Sequence, residues 1–158
     1  MADLLRENYS VGSSFTPIYS GGPFCFADDG SEGFFSAGDE INRVDLSTGT
    51  IIEVISLTSD PEALAFDSTR RLLVCCGSSH LISTFLIPEG SVGKSTLQRQ
   101  WKGHQQPVND VCFHSNGAYI ATACSDGTAR VWDVNQGFCT HNFKDHVGRV
   151  TLVRYISV

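Results

Sequence analysis

The sequence has little positive charge, no closely spaced cysteine pair and no long apolar run. Lys and Arg total 11 against 17 Asp and Glu, and the formal net charge is −6. Direct binding to a nucleic-acid backbone depends on clustered Lys and Arg, so this balance argues against it. The apolar run at residues 72–76 is far shorter than the roughly 20 residues of a membrane span, and residues 1–7 lack the apolar core of a signal peptide. These absences predict a soluble, intracellular chain.

None of the six cysteines belongs to a Cys-x-x-Cys pair. Zinc ribbons and fingers need that spacing to supply two ligands from one turn. Most of the cysteines lie within apolar runs, as small buried hydrophobic residues do. We therefore predict free thiols, no metal site and no cofactor. The cysteines are Cys25, Cys75, Cys76, Cys112, Cys124 and Cys139.

The chain contains an internal repeat. The segment around Phe113 recurs 42 residues later around Tyr155 and 47 residues earlier around Phe66, and a further 40 residues earlier it recurs around Phe26. Repeats of this length are typical of the four-stranded blades of a β-propeller. Short alternating apolar segments are separated by turn residues such as Asn116-Gly117, and no segment has a helical period.

These signals predict an all-β chain, a partial propeller of three four-stranded antiparallel blades and the first strand of a fourth. Residues 1–13 are predicted to be a lead-in to the propeller at 14–158, and residues 15–19 to form an extra strand before the first blade. The predicted bounds are about 22–56 for blade 1, about 61–102 for blade 2, about 103–144 for blade 3 and about 145–158 for the start of blade 4.

Blade 3 carries four side chains that can form a chain of hydrogen bonds: His104, Thr122, Asp126 and Trp132. An indole N–H can only donate, a hydroxyl donates and accepts, and a neutral imidazole does both. The Gly-His before the first strand and the Trp-Asp that ends the third resemble the signature of the WD-repeat family. This resemblance implies that the four residues form a buried structural relay. The alternative is a hydrolase triad of Thr, His and Asp, but the sequence offers no strained nucleophile turn, so we predict no catalytic residue.

The first two blades depart from this signature. Cys75 stands at the position of Thr122, Ser79 at that of Asp126 and Phe85 at that of Trp132, and blade 1 keeps only the Asp of the Trp-Asp pair. We predict that these blades rely on apolar packing instead.

Residues 90–96 resemble a phosphate-binding loop, with a Gly-Lys-Ser-Thr run. That motif also needs a glycine five residues before Gly93, where Pro88 stands, and it should open a helix. We predict a flexible loop between two strands and no nucleotide.

The finer pattern resembles the N-terminal propeller of the transducin-beta-like WD-repeat proteins of the small-subunit processome, a nucleolar assembly on the precursor of small-subunit rRNA. The resemblance lies in residues 8–11, 17–22, 89–92, 101–102 and 148–153, and in two degenerate blades ahead of a strong third. It implies a non-catalytic protein-interaction scaffold in ribosome biogenesis and pre-rRNA processing, located in the nucleus and nucleolus. The implied partners are other proteins of a multi-subunit ribonucleoprotein, with RNA contact mostly indirect and no membrane or small-molecule substrate.

The alternative function is a substrate receptor or signalling adaptor in the cytoplasm. Such receptors usually present a basic or aromatic pocket to an acidic or phosphorylated motif. The turn residues that we expect on one face include no basic cluster. These candidate contacts are Ser78, Ser79, Gln105, Gln106 and Ser125.

The last expectation from the sequence concerns the ends of the chain. A propeller closes with at least about four blades, whereas the predicted fourth blade stops within its first strand. Unpaired strand edges promote association. We therefore expect a truncated gene product or fragment, or copies that associate through open blade edges when the chain is expressed alone.

Overall fold

The computed structural model describes residues 21–156. Within that range the chain forms twelve strands and contains no helix that could span a membrane. The strands are β1 (Phe24–Phe26), β2 (Glu32–Ala37), β3 (Glu40–Asp45), β4 (Thr50–Ser56), β5 (Pro61–Asp67), β6 (Leu72–Gly77), β7 (Leu81–Leu86), β8 (Thr96–Lys102), β9 (Val108–Phe113), β10 (Tyr119–Cys124), β11 (Ala129–Asp133) and β12 (Phe138–Phe143).

The twelve strands form three separate four-stranded antiparallel sheets, and each sheet keeps the order of the chain. Blade 1 is β1–β4, blade 2 is β5–β8 and blade 3 is β9–β12. Tight turns make this meander possible. Gly117, between β9 and β10, has a φ of 66°, in the left-handed region that favours glycine, and a Cβ there would lie 2.3 Å from Asp67 Oδ2 of blade 2, so any other residue would require the Asp67 side chain to move. The predicted fold class is confirmed.

Equivalent positions of the three blades share the same strand register. Phe85 pairs with Leu73 in blade 2, and 47 residues later Trp132 pairs with Ile120 in blade 3. A bulge between the third and fourth strands falls just before Phe85 and just before Trp132, and blade 1 has the same bulge before Val44. The positions aligned from the sequence are therefore structurally equivalent.

Two apolar clusters hold the blades side by side. Between blades 1 and 2, the buried Phe34 and Phe66 rings lie 4.7 Å apart, centroid to centroid. Between blades 2 and 3, the fully buried Ile82 packs in one cluster with Trp132, and the half-buried Trp101 packs against that cluster. Each buried side chain of this size contributes about 1.5–3 kcal/mol relative to exposure, so the interfaces between blades are the main core.

Past β12 the chain turns back along blade 3. The Val150 N–H donates to the Cys124 carbonyl (3.0 Å), and the Val150 carbonyl accepts from Asn109 Nδ2 (2.7 Å). The Val153 N–H donates to the Asp110 carboxylate (2.9 Å). The segment thus takes the place predicted for the first strand of a fourth blade, but it forms no ladder with any described strand. The predicted lead-in at 1–13 and the extra strand at 15–19 lie outside the described residues.

Candidate functional site

The four relay residues of blade 3 are joined in one continuous hydrogen-bond chain. Trp132 on β11 donates its Nε1–H to Thr122 Oγ1 on β10 at 2.9 Å. His104, in the segment before β9, places Nε2 2.7 Å from the same hydroxyl and Nδ1 3.5 Å from the carboxylate of Asp126. His104, Thr122 and Trp132 are buried, with 1%, 0% and 4% exposure, so the relay is closed to solvent except at its Asp126 end.

The donors and acceptors fix the direction of the relay. The Trp132 indole can only donate, so the Thr122 hydroxyl accepts from it and donates to His104 Nε2 at 2.7 Å, which is closer than its other acceptor, the Arg130 carbonyl at 3.4 Å. That bond leaves the His104 proton on Nδ1, which faces Asp126. Burial, reinforced by the positive charge of Arg130, lowers the pKa of His104 and keeps the imidazole neutral at pH 7.

Asp126 ends the relay as a carboxylate. Burial alone would raise its pKa, but the Thr128 hydroxyl (2.6 Å) and the Thr128 backbone N–H (2.9 Å) donate to it and lower the pKa to about 2. The same carboxylate lies 3.5 Å from the guanidinium of Arg130. Asp126 therefore stays charged near neutral pH and orients the imidazole.

This geometry does not suit nucleophilic catalysis. A catalytic hydroxyl has to reach a substrate, whereas Thr122 is fully buried and accepts a hydrogen bond from Trp132. The 2.7 Å contact between Thr122 and His104 would itself suit a nucleophile and its base, so the burial of the Thr122 hydroxyl is what argues against catalysis. The arrangement can fix the packing of β10 against β11 and of the His104 segment against both.

One group beside the relay has the residue types of a metal site. His104, Cys124 and Asp126 bring one ligand atom each within 4.8 Å of one another. However, burial raises the pKa of the Cys124 thiol, and its Sγ–H donates to the Gln106 carbonyl at 3.3 Å. A metal would need Cys124 as a thiolate and would compete with the hydrogen bond between His104 and Asp126. The three side chains instead make hydrogen bonds within the protein.

The five candidate contact residues lie in loops at one end of the blades. Ser78 and Ser79 occupy the β6–β7 turn and are exposed, as are Gln105 and Gln106 before β9. Ser125, in the β10–β11 turn, is half-buried and donates its hydroxyl to Asn109 at 3.1 Å. Backbone hydrogen bonds join these loops: Gly103 N–H donates to the His80 carbonyl and Ser125 N–H to the Pro107 carbonyl. We call this end the loop face.

A buried ion network that sequence reasoning missed joins blade 1 to the loop between β7 and β8. Arg43 on β3 is fully buried and binds Glu32 on β2 through two hydrogen bonds of 2.7 and 3.0 Å. Its guanidinium also donates to the carbonyls of Pro88 (2.8 Å) and Gly90 (2.9 Å). Arg71 of blade 2 donates to both Glu32 and Pro88. Burial alone would raise the pKa of Glu32, but the two arginines lower it, so the carboxylate is charged.

Contacts with blade 1 hold residues 90–96, which the sequence predicts to be a flexible loop, in place at Gly90 and Ser95. Ser95 donates its backbone N–H (2.7 Å) and its hydroxyl (2.6 Å) to the carboxylate of Glu53 on β4. A carboxylate thus occupies the donors that a phosphate would need. A strand follows at Thr96–Lys102 where a phosphate loop would open a helix. The loop is anchored to blade 1 at both ends.

Comparisons with known proteins agree with this architecture. The family model described as "WD domain, G-beta repeat" matches residues 95–133. "Transducin beta-like protein 3" of Rattus norvegicus is 30% identical over 153 residues, which cover 95% of this chain and 18% of that protein. "U3 small nucleolar RNA-associated protein 13" of Saccharomyces cerevisiae is 27% identical over 157 residues, with coverages of 96% and 18%. The chain therefore spans less than a fifth of the length of these relatives.

A solved structure supports the fold independently. A chain from the "Crystal Structure of Mitotic Checkpoint Complex" aligns with a TM-score of 0.74 over 84% of this chain and 40% of that chain. The two sequences are 17% identical, so the likeness concerns the fold alone.

Proposed function

The chain belongs to the WD-repeat family, and from this premise we propose that it is a non-catalytic scaffold that binds other proteins in small-subunit ribosome biogenesis and pre-rRNA processing. The observation that supports a scaffold best is the closed relay. In the group that resembles a catalytic triad, the Thr122 hydroxyl is buried and accepts a hydrogen bond from Trp132, which supports a role in packing. The relative named for its association with U3 small nucleolar RNA favours a role on pre-ribosomal RNA particles.

The surface charge favours proteins over RNA as direct partners. The chain carries a net charge of −6, and the exposed candidate contacts of the loop face, Ser78, Ser79, Gln105 and Gln106, are uncharged. Phosphate backbones select clustered basic residues, and these four positions supply none. We propose that the chain contacts other subunits of a nucleolar ribonucleoprotein and reaches RNA through them.

The direct test is to follow the tagged chain through sedimentation of a nuclear extract. The proposal predicts co-sedimentation with particles that contain U3 RNA and rRNA precursors, and accumulation of unprocessed precursor when the protein is depleted. A tagged chain that is absent from the nuclear extract or sediments there as free protein, with precursor processing unchanged on depletion, would contradict the proposal and favour a receptor or adaptor.

A matched pair of variants tests the loop face. Gln105→Lys with Gln106→Lys places two charges on exposed positions of this face and should weaken co-sedimentation. Ser115→Lys with Gln136→Lys places the same charges on exposed turns at the opposite end of blade 3 and should leave it unchanged. Equal effects of both pairs would show that partner binding does not use the loop face.

A further inference from the structure

Blade 2 has lost the relay at all four positions. Cys75, Ser79 and Phe85 stand where blade 3 has Thr122, Asp126 and Trp132, and the strand registers match. Leu57 precedes β5 by four residues, as His104 precedes β9. None of these side chains can reproduce an indole–hydroxyl–imidazole–carboxylate chain.

The lost relay leaves a cavity between blades 1 and 2. Its volume is about 170 Å³, and we call it the relay gap. All four replaced relay positions line it, and the whole lining is uncharged. The lining residues are Ser56, Leu57, Thr58, Ser59, Cys75, Gly77, Ser79, Leu81, Ser83, Phe85, Leu97 and Gln100.

The relay gap has an apolar floor and a hydroxyl rim. Cys75 and Phe85 are buried and belong to the apolar cluster between blades 1 and 2. Around them, Ser59 and Ser79 share a hydrogen bond of 2.9 Å, and the Gln100 amide donates to the Ser83 hydroxyl at 2.9 Å. Ser79 is exposed and belongs to the loop face, so the cavity opens where the proposed scaffold would meet partners.

The size and chemistry of the relay gap select its occupant. A dry cavity of about 150 Å³ holds a ligand as large as benzene, so this one has room for a leucine-sized side chain. A charged group would lose its hydration without gaining a counter-charge, because the lining has none. The rim hydroxyls and the Gln100 amide can donate to and accept from a peptide group.

We infer that the relay gap is a docking pocket for one leucine-sized aliphatic side chain, carried by an uncharged peptide segment of a partner protein. This inference rests on the proposed scaffold function and names the kind of contact that the loop face makes. Cys75 takes part as an apolar wall. Burial raises the pKa of its thiol to about 12, so it is neither a nucleophile nor a metal ligand near neutral pH.

The test uses the 158-residue chain and a model peptide, N-acetyl-leucine N-methylamide, followed by amide NMR. We expect saturable shifts at lining residues such as Cys75 and Ser83, with a dissociation constant in the millimolar range for a ligand of this size. The matching aspartate and lysine amides should give no saturable shift. Isopentane, which lacks peptide groups to pair with the hydroxyl rim, should bind at least tenfold more weakly.

Two variants keep the test decisive. Ser83→Leu fills the cavity from a buried position, and Ser79→Leu narrows it from the rim, where the side chain is exposed. Each should weaken leucine-amide binding at least tenfold. Ser115→Leu, at an exposed turn of blade 3, is the control and should bind as the parent does.

Several outcomes would overturn the inference. They are the absence of a saturable shift with the leucine amide, equal binding by the charged amides or by isopentane, and undiminished binding by a folded Ser79→Leu variant. Because these measurements involve no ribosomal particle, they fail independently of the sedimentation experiment. Binding of the leucine amide together with free sedimentation would support the pocket and reject only its proposed cellular setting.

Discussion

Two tryptophans at the interface of blades 2 and 3 have different hydrogen bonding in similar surroundings. The Trp101 and Trp132 rings lie 6.2 Å apart, centroid to centroid. Trp132 Nε1 donates to Thr122, whereas Trp101 Nε1 is buried without a partner among the described residues. The relay therefore gives the Trp132 N–H a stabilising hydrogen bond, whereas the buried Trp101 N–H, which lies outside the relay, lowers the stability of the fold.

Substitution of each tryptophan by phenylalanine should separate the hydrogen bond from the ring. Trp132→Phe removes a satisfied bond and leaves the buried Thr122 hydroxyl short of a donor, so it should cost about 1–3 kcal/mol more than Trp101→Phe. Trp132→Ala, which also leaves a cavity, should cost about 3–5 kcal/mol. Urea unfolding measures all three, and equal costs for the two Phe variants would rule out a stabilising relay.

His104 gives the relay a pH dependence. Its pKa in the folded state is below the ordinary value of 6.5 because of burial, so the unfolded chain binds more protons as the pH falls from about 7 to about 5, and stability declines. The lowered carboxyl pKa values of Asp126 and Glu32 affect stability only below their ordinary range near 4. The decline should be smaller in His104→Gln and unchanged in His141→Gln, at an exposed position. A parent chain with constant stability over this range would contradict it.

At the residue scale, sequence alone indicated the relay because spacing and donor chemistry are local signals. It could not indicate the lone Trp101 N–H, because the partner of an indole depends on which strand packs above it. The sequence also could not distinguish Ser79, which lines a cavity, from Ser125, which donates to Asn109, because both are polar turn residues. Only the packing of blade 1 against blade 2 places Ser79 at the rim of a cavity.

At the element scale, blades 1 and 2 are joined by the ion network of Arg43. Arg43→Met leaves Arg71 as the single donor to both Glu32 and the Pro88 carbonyl, and it removes the Arg43 donor from the Gly90 carbonyl. Breaking a buried ion pair so that one charge is left unpaired costs about 3–5 kcal/mol. Because Arg71 still pairs with Glu32, we expect a loss near the lower end of that range, with faster proteolysis of residues 88–95.

Arg154→Met is the matched control for this prediction. Arg154 pairs with Asp110, but its side chain is 55% exposed, and pairs at the surface contribute less than about 1 kcal/mol. The double variant Glu32→Gln with Arg43→Met should recover part of the lost stability, because the Glu32 charge, which Arg43→Met leaves with Arg71 alone, is removed. Equal losses for Arg43→Met and Arg154→Met would show that the network does not hold the blades.

The strands themselves were predictable because turn residues and alternating apolar positions punctuate each blade. The ion network was not, because Arg43 and Glu32 lie on β3 and β2 in a pattern that is typical of a solvated strand face. The loop at 88–95 buries this face in the folded chain, but its Pro88 and Gly90 lie 45 and 47 residues after Arg43 in the sequence, so no local pattern reveals the contact. The segment at 150–156 reads as a strand, but a strand needs a hydrogen-bonded neighbour.

At the scale of the whole molecule, exposed aromatic side chains lie on both end blades. Phe24 and Phe26 on β1 are 52% and 46% exposed, and Phe143 on β12 is 51% exposed. We predict that the chain on its own associates with increasing concentration, giving a mass by light scattering above 17.2 kDa.

Phe24→Ser with Phe26→Ser should shift this association toward the monomer. Val92→Ser, which removes an exposed apolar side chain from the β7–β8 loop, should not. A parent chain that stays monomeric and melts cooperatively at high concentration would show that these surfaces do not associate.

Hydrogen exchange by mass spectrometry, resolved to the three blades, is the most direct test of whether the hydrogen-bond relay and the Arg43 ion network stabilise different parts of the propeller. The relay acts in blade 3 and the Arg43 network between blades 1 and 2, so each should protect its own strands. Trp132→Phe should speed exchange mainly in β10 and β11, and Arg43→Met mainly in β2 and β3. Identical exchange profiles for the two variants across all three blades would contradict this division.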